Sequence, residues 1–379
     1  MKILFYNDSP IFGGHEIMTV NVVRSLLSMD YELTFAYSLF NQKFHDILNE
    51  LLISYPNNLT LMPVKFKSSH IQSIMSFFQF LDLILLYKKV INKFDLILAS
   101  QGDIEISSKI IIAGKLARIK VISYIPSDFL PSDLGVPFSW LRDKFAKVLY
   151  RMVDGFISIS PSFINGLQHK LNLPKNKIFL LENIINCNKI PKYKLFDRFH
   201  KPFRFIMVGA VNSRKNQIFL LNWLEMHPNF ICELLIVGTG PLSPQLQSRV
   251  NSSSILNSKV RFLGWSDNPL EIMSECDLLL IPSVVEGVPL VMLEAAAIKL
   301  PILATDANGM ADFLPHEMKF KLNDYENFSR KLEFLLSQHN EVNSLIEANY
   351  QKVIKYNDLN YFNQQVKLIF SKLLNGAND

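Results

Sequence analysis

Two carboxylates eight positions apart, Glu286 and Glu294, stand in the stretch Pro282 to Asp312. A carboxylate takes two hydrogen bonds side by side, so such a pair can hold the hydrogen-bond donors of a ligand. Two neighbouring cations, Arg214 and Lys215, stand well upstream. A cation at a helix start is unfavourable unless it faces an anion, so Lys215 points to phosphate, against the plainer reading of a surface charge. The plain alternative for the carboxylates is a helix cap at Glu286 and a solvated helix residue at Glu294.

The elements that must position these groups are legible. Asp277 to Ile281 is apolar and of strand length, as expected of a buried parallel strand. A short loop with Glu286 and Gly287 follows, and Pro289 suits the first position of a helix, where a missing N–H costs nothing. Leu290 to Ile298 are good helix formers, and Pro301 to Ala304 reads as the next strand. Glu286 therefore lies at the carboxyl end of a strand, where open α/β sheets bind ligands. The helix start at Val288, Pro289 and Leu290 offers unpaired N–H groups, a seat for phosphate.

Glycines end other strands in the same way. Gly13 and Gly14 follow Ile3–Tyr6, Gly209 follows Phe203–Val208, and Gly238-Thr239-Gly240 follows Cys232–Val237. Glycine lets backbone approach a ligand closely; an ordinary turn is the other reading. Gly238-Thr239-Gly240 is not a dinucleotide fingerprint, because no third glycine follows. Further strand-like runs are Tyr31–Tyr37, Leu59–Val64, Asp95–Ala99, Lys120–Tyr124, Asp154–Ile159 and Lys259–Trp265. Helical patterns between most of them argue for parallel sheets covered on both faces.

The spacing Glu286-x7-Glu294, framed by Pro282-Ser283, Gly287, Ala295 and Pro301 to Asp306, resembles the donor-binding motif of the family 4 retaining glycosyltransferases. The resemblance implies the GT-B fold: two doubly wound Rossmann-like domains facing a central cleft, with the last helix crossing back to the first domain. It implies that Lys215, with Arg214 as a companion, holds the donor pyrophosphate, and that Glu286 and the Gly287 N–H orient the sugar. Glu294 then takes the ribose hydroxyls, and Gly13, Gly14, Gly209 and Gly238 lie by the donor. Trp265 either stacks near the base or packs. The sequence departs from the family twice: Ala210 stands where many members have an arginine, and no histidine follows Lys120–Tyr124. Ser127 and Asp128 are the polar residues near that second place, Asp128 equally suited to a turn or cap. His15 either approaches substrate or packs.

Length and composition set bounds. With 379 residues, two domains are expected: 1–185, a linker at 186–202, 203–355, and a returning helix at 356–379. The tail 375–379 is expected to fray. Charged residues are 19% and the net charge is +5, mildly basic. No zinc-finger spacing, aromatic RNA signature or basic arm speaks for nucleic acid. Cys187, Cys232 and Cys276 have no ligand or pairing pattern, which suits a reducing compartment. No signal core or bilayer-length apolar run is present, so a cytoplasmic place is expected. In Ile71–Lys93 the residues Ile71, Ile74, Phe78, Leu81 and Leu85 fall at helical spacing, followed by Lys88, Lys89 and Lys93. That is either a core helix with a basic last turn or a helix on an anionic membrane surface. No Asp-x-Asp occurs, so no divalent metal and no other cofactor is expected.

The expectation is a retaining, hexosyltransferase-type glycosyltransferase. It would move a sugar from a nucleotide diphosphate sugar to a glycan or lipid-linked acceptor in cell-envelope polysaccharide or lipopolysaccharide synthesis, at or near the inner face of the cytoplasmic membrane. The competing readings are another GT-B enzyme, an epimerase or phosphorylase, or a silent scaffold of that fold.

Overall fold

The computed structural model describes residues 2–65, 71–103, 105–134, 136–185, 202–311 and 313–375. The expected linker lies almost wholly outside them, as do Cys187 and the last four residues of the tail. By packing, the chain divides into two units, Met1–Ile184 with Leu359–Asp379, and Ile185–Asp358.

The first unit is a seven-stranded sheet, β1 (Lys2–Asn7), β2 (Glu32–Ser38), β3 (Leu59–Val64), β4 (Leu96–Ser100), β5 (Lys120–Tyr124), β6 (Gly155–Ser158) and β7 (Ile178–Leu180). Its order is β3-β2-β1-β4-β5-β6-β7, parallel throughout. A strand covered on both faces reads as a continuous apolar run, and β4 is buried along its whole length. The core gathers Leu4, Ile97 and Val121 from the sheet with Ile110, Ile111 and Ala146 from its helices.

The second unit holds β8 (Phe203–Val208), β9 (Cys232–Val237), β10 (Val260–Gly264), β11 (Leu278–Ile281), β12 (Ile302–Thr305) and β13 (Lys319–Phe320), ordered β10-β9-β8-β11-β12-β13 and again parallel. Phe219, Phe320 and Phe328 stack and cross one face of it, with Trp223 against Phe328. The strands β7 and β13 were not anticipated. At three and two residues they are too short to show a period.

The last helix, Leu359–Asn375, packs within the first unit. Val366, Phe370 and Leu373 are buried there. Lys120 Nζ donates to the Leu373 carbonyl, and Gln365 Oε1 accepts from the Glu182 amide at 3.2 Å.

Three local expectations need correction. Pro289 is the N-cap, with extended ψ of 129°, and the helix runs Leu290–Ala297. The first helix begins at Gly14, two residues before Glu16, because the Glu16 carboxylate accepts the Gly13 amide at 2.9 Å and closes the turn there. Ile71–Lys93 is not one helix but two, Gln72–Met75 and Phe80–Val90. The apolar residues buried from the second helix are Leu83, Leu86 and Val90, while Ile71, Phe78, Leu81 and Leu85 are exposed. The helical spacing was real, but the core took the other face of the second helix.

Candidate functional site

In each sheet the chain order reverses once, between β1 and β4 and between β8 and β11. The loops leaving such a pair of strands diverge to opposite faces and open a crevice at their carboxyl ends. Both clusters of chemically apt residues sit at these points.

At the second unit's reversal, the loop after β8 brings Arg214 and Lys215, and the loop after β11 brings Glu286. Lys215 Nζ lies 2.5 Å from Glu286 Oε1, and Arg214 Nη1 lies 3.0 Å from Oε2. Only 8% of Lys215 is exposed, and a lysine so buried needs an anion. Arg214 is half-exposed and also donates to the Val285 carbonyl at 3.3 Å. Burial pushes the Glu286 carboxyl up, yet Lys215 and Arg214 more than offset it, so the group lies below the ordinary carboxylate range.

Backbone and side-chain ties hold the two loops in this register. The Arg214 carbonyl accepts from the Val284 amide at 2.8 Å, and Asn216 Nδ2 donates to the Pro282 carbonyl at 3.1 Å. Asn216 sits in the left-handed region, φ 56°, which its short polar side chain tolerates. Asn212 Oδ1 accepts the Lys215 amide at 3.0 Å and fixes the turn from which Lys215 projects.

The neighbouring glycines close the frame. Gly238 has φ 128°, and a Cβ there would stand 2.1 Å from the Gly209 carbonyl oxygen. The loops after β8 and β9 therefore touch backbone to backbone, which only glycine permits. Gly309 plays the same part on the other side, where a Cβ would fall 1.7 Å from the Gly287 carbonyl oxygen. Val288 and Pro289 are buried, and Leu290 opens the helix that carries Glu294.

Glu294 lies one turn into that helix. Its carboxylate has no hydrogen-bond or ion-pair partner among the described residues, and burial pushes it up to about 7. A half-buried carboxylate left without donors suits a ligand that supplies them. Trp265 follows Gly264 at the end of β10 and is half-exposed, its Nε1 donating to Asp267 Oδ1 at 3.1 Å. It is not a core residue, and it stands at the carboxyl end of its strand.

The first unit's reversal carries a neutral-to-acidic cluster. His15 Nε2 lies 2.8 Å from Ser100 Oγ, which also meets Thr19 Oγ1 at 2.7 Å and Asn7 Nδ2 at 3.2 Å. Asn7 reaches Glu16 Oε1 at 3.3 Å. His15 Nδ1 and the Tyr124 hydroxyl are buried without partners among the described residues, their rings 5.0 Å apart. Burial lowers His15 to about 3, so its imidazole is neutral near neutrality, and raises Glu16 to about 7. Gly13 caps the helix, and a Cβ there would meet only Glu16 Oε2, at 3.6 Å, an ordinary contact. Asp128 is ion-paired with Lys170 at 3.2 Å and is not placed in this cluster by any contact.

Sequence reasoning named Lys215, Arg214, Glu286 and Glu294, and the fold brings the first three together. It missed Asn216 and Gly309 in the second unit and Ser100 and Thr19 in the first. The Asn308-Gly309 turn dipeptide was a usable signal; Ser100 and Thr19 left none, being far from His15 or unremarkable on its helix.

Residues 202–338 match the model of the glycosyl transferases group 1 family. This stretch contains Arg214, Lys215, Glu286 and Glu294. The chain is 26% identical over 236 residues to an uncharacterized glycosyltransferase of Methanocaldococcus jannaschii, over 58% of this chain and 57% of that protein. It thus spans a little over half the length of that relative. It is 24% identical over 316 residues to the UDP-Gal:alpha-D-GlcNAc-diphosphoundecaprenol alpha-1,3-galactosyltransferase of Escherichia coli, covering 78% and 75% of the two chains. The crystal structure of Anabaena HepE in complex with UDP and glucose superimposes with a TM-score of 0.75 at 17% identity, covering 98% of this chain and all of that one. That likeness is one of fold, and the fold is GT-B.

Proposed function

We propose that the chain transfers a sugar from a nucleoside diphosphate sugar to a glycan or lipid-linked acceptor, with retention at the anomeric carbon. The observation that carries this is the convergence of Lys215 and Arg214 on Glu286 at the second unit's strand reversal, one helix turn from the unpartnered Glu294.

In this reading Lys215, with Arg214, turns to the diphosphate and stabilises the charge that grows on it as the bond from the anomeric carbon to the β-phosphate oxygen breaks. One such donor held in place is worth roughly 3–4 kcal/mol of barrier. Gly209 and Gly238 let the backbone come close to the phosphates, and the amide-rich start of the Leu290–Ala297 helix adds a positive end. Glu286 and the Gly287 N–H orient the sugar hydroxyls, Glu294 accepts the ribose hydroxyls, and Trp265 stacks on the base. The acceptor oxygen bonds to the same face of the anomeric carbon, and its proton passes to the departing phosphate oxygen. Acceptor recognition falls to the first unit, where Gly13, Gly14 and the neutral His15 offer partners for hydroxyls. The Escherichia coli relative named for a diphosphoundecaprenol acceptor supports a lipid-linked acceptor, and with it a place on the cytoplasmic face of a membrane.

The test is a panel of nucleoside diphosphate sugars. A true donor at 100 times its Kd raises stability by about 2.7 kcal/mol, and with acceptor present it releases nucleoside diphosphate. Binding without release on any acceptor would leave a nucleotide-binding scaffold instead.

A further inference from the structure

In the first unit, two neighbouring helices turn apolar side chains outward. On Phe80–Val90, the residues Leu81, Ile84, Leu85 and Lys88 follow one stripe at helical spacing, opposite the buried stripe of Leu83, Leu86 and Val90. Leu81 is 78% exposed. A helix apolar on both faces is normally buried on both, and this one is covered on one. On Ser139–Met152, Trp140, Lys144 and Val148 form a second exposed stripe four residues apart, with Phe138 just before it. Trp140 is 63% exposed, and Lys144 Nζ stands 5.2 Å over its ring. Just before the first helix, the Phe78 ring lies 6.4 Å from that of Phe145 on the second helix. Below them, Leu83 and Leu149 share one apolar cluster with Ile112.

The result is a set of exposed aliphatic and aromatic side chains, with lysines among them, on two helices that share one buried cluster. A patch of this kind on a protein surface marks a docking site. We propose that this face seats the first unit on an anionic lipid surface, with Leu81, Ile84, Leu85 and Trp140 at the headgroup boundary and Lys88 and Lys144 against lipid phosphates. Charge decides the occupant. A second copy joined face to face would set the lysines of one chain against those of the other, since a twofold contact meets its own surface. Lipid phosphates instead complement them, and the chain's net charge of +5 adds to the attraction. The acidic residues on these helices are already engaged, Asp82 with Lys109 at 2.8 Å and Asp143 with the Ser132 amide at 3.2 Å. Aromatic rings and lysines around an aliphatic strip are the composition of helices that lie in the interface plane. No described helix is long and apolar enough to cross a membrane.

The experiment sediments the full chain with vesicles of phosphatidylcholine alone and of phosphatidylcholine mixed with phosphatidylglycerol. The protein is expected on the mixed vesicles, weakly or not at all on the neutral ones, and to come off as salt rises. Lys88→Gln and Lys144→Gln should each weaken binding roughly fivefold. The pair Leu81→Ser and Trp140→Ser should abolish it while leaving the melting temperature and nucleoside diphosphate binding as in the wild type, because both side chains are exposed. Vesicle binding unchanged in all variants, or absent in the wild type, would overturn the assignment. So would a wild-type dimer that Leu81→Ser with Trp140→Ser dissociates, which would give the face to a second copy.

Discussion

Lys215 Nζ and Glu286 Oε1 stand 2.5 Å apart across two loops that leave the central strands of the second sheet. The pair is buried, so each charge depends on the other for a partner. Arg214, half in solvent at 3.0 Å from the other carboxylate oxygen, makes the group of three net positive. In the proposed reading an arriving phosphate must draw Lys215 from Glu286.

That relationship gives the first prediction. Glu286→Gln keeps the shape and loses the charge. Transfer should fall by at least about a hundredfold, on the scale of losing one fixed group in a site. Affinity for nucleoside diphosphate should hold or rise, because Lys215 is no longer shared. Steady-state turnover and calorimetry on the same variant separate the two effects. Near wild-type turnover would remove Glu286 from the chemistry.

Lys215→Ala should act in the opposite sense on binding. A charge-assisted hydrogen bond to phosphate is worth about 1.5–3 kcal/mol, so nucleoside diphosphate affinity should drop roughly tenfold or more while nucleoside affinity stays. Equal losses for both ligands would show that Lys215 does not touch phosphate. Some stability should go too, since Glu286 would keep only the exposed Arg214.

Glu294 predicts a pH dependence. Burial raises its carboxyl to about 7 from an ordinary 4.5. If the ionised form accepts ribose hydroxyls, affinity for a nucleoside diphosphate sugar, whose phosphates do not titrate near neutrality, should rise with pH and level off above about 7. Below that it should fall by up to about tenfold per unit. The sign for the free protein is the reverse. Between about 4.5 and 7 the folded state binds a proton that the unfolded chain does not, so this group's contribution favours folding more as pH falls. Glu294→Gln should flatten both profiles relative to the wild type; an unchanged affinity profile would count against the ribose role.

The fourth prediction concerns divalent metal. Lys215, Arg214 and the start of the Leu290–Ala297 helix supply positive charge where the diphosphate is placed. Transfer should therefore persist after exhaustive treatment with EDTA. Activity lost there and restored only by Mg²⁺ or Mn²⁺ would reopen the phosphate assignment.

The sequence by itself determined the alternation of strand and helix, and with it the parallel sheets, because buried strands such as Leu278–Ile281 and β4 are apolar without interruption. It also placed Glu286 after a strand and Glu294 on the helix behind it, since local order along the chain sets both. Only the tertiary structure decided that Arg214 and Lys215 close on Glu286 from another loop, or that His15 meets Ser100. Those contacts depend on β8 lying beside β11 and β1 beside β4, which is a matter of strand order and not of any local pattern. The same holds for Phe80–Val90. Its residues are apolar on two faces, so spacing names two stripes, and the helix layer beneath selects Leu83, Leu86 and Val90 for the core and leaves Leu81 and Leu85 to the outside.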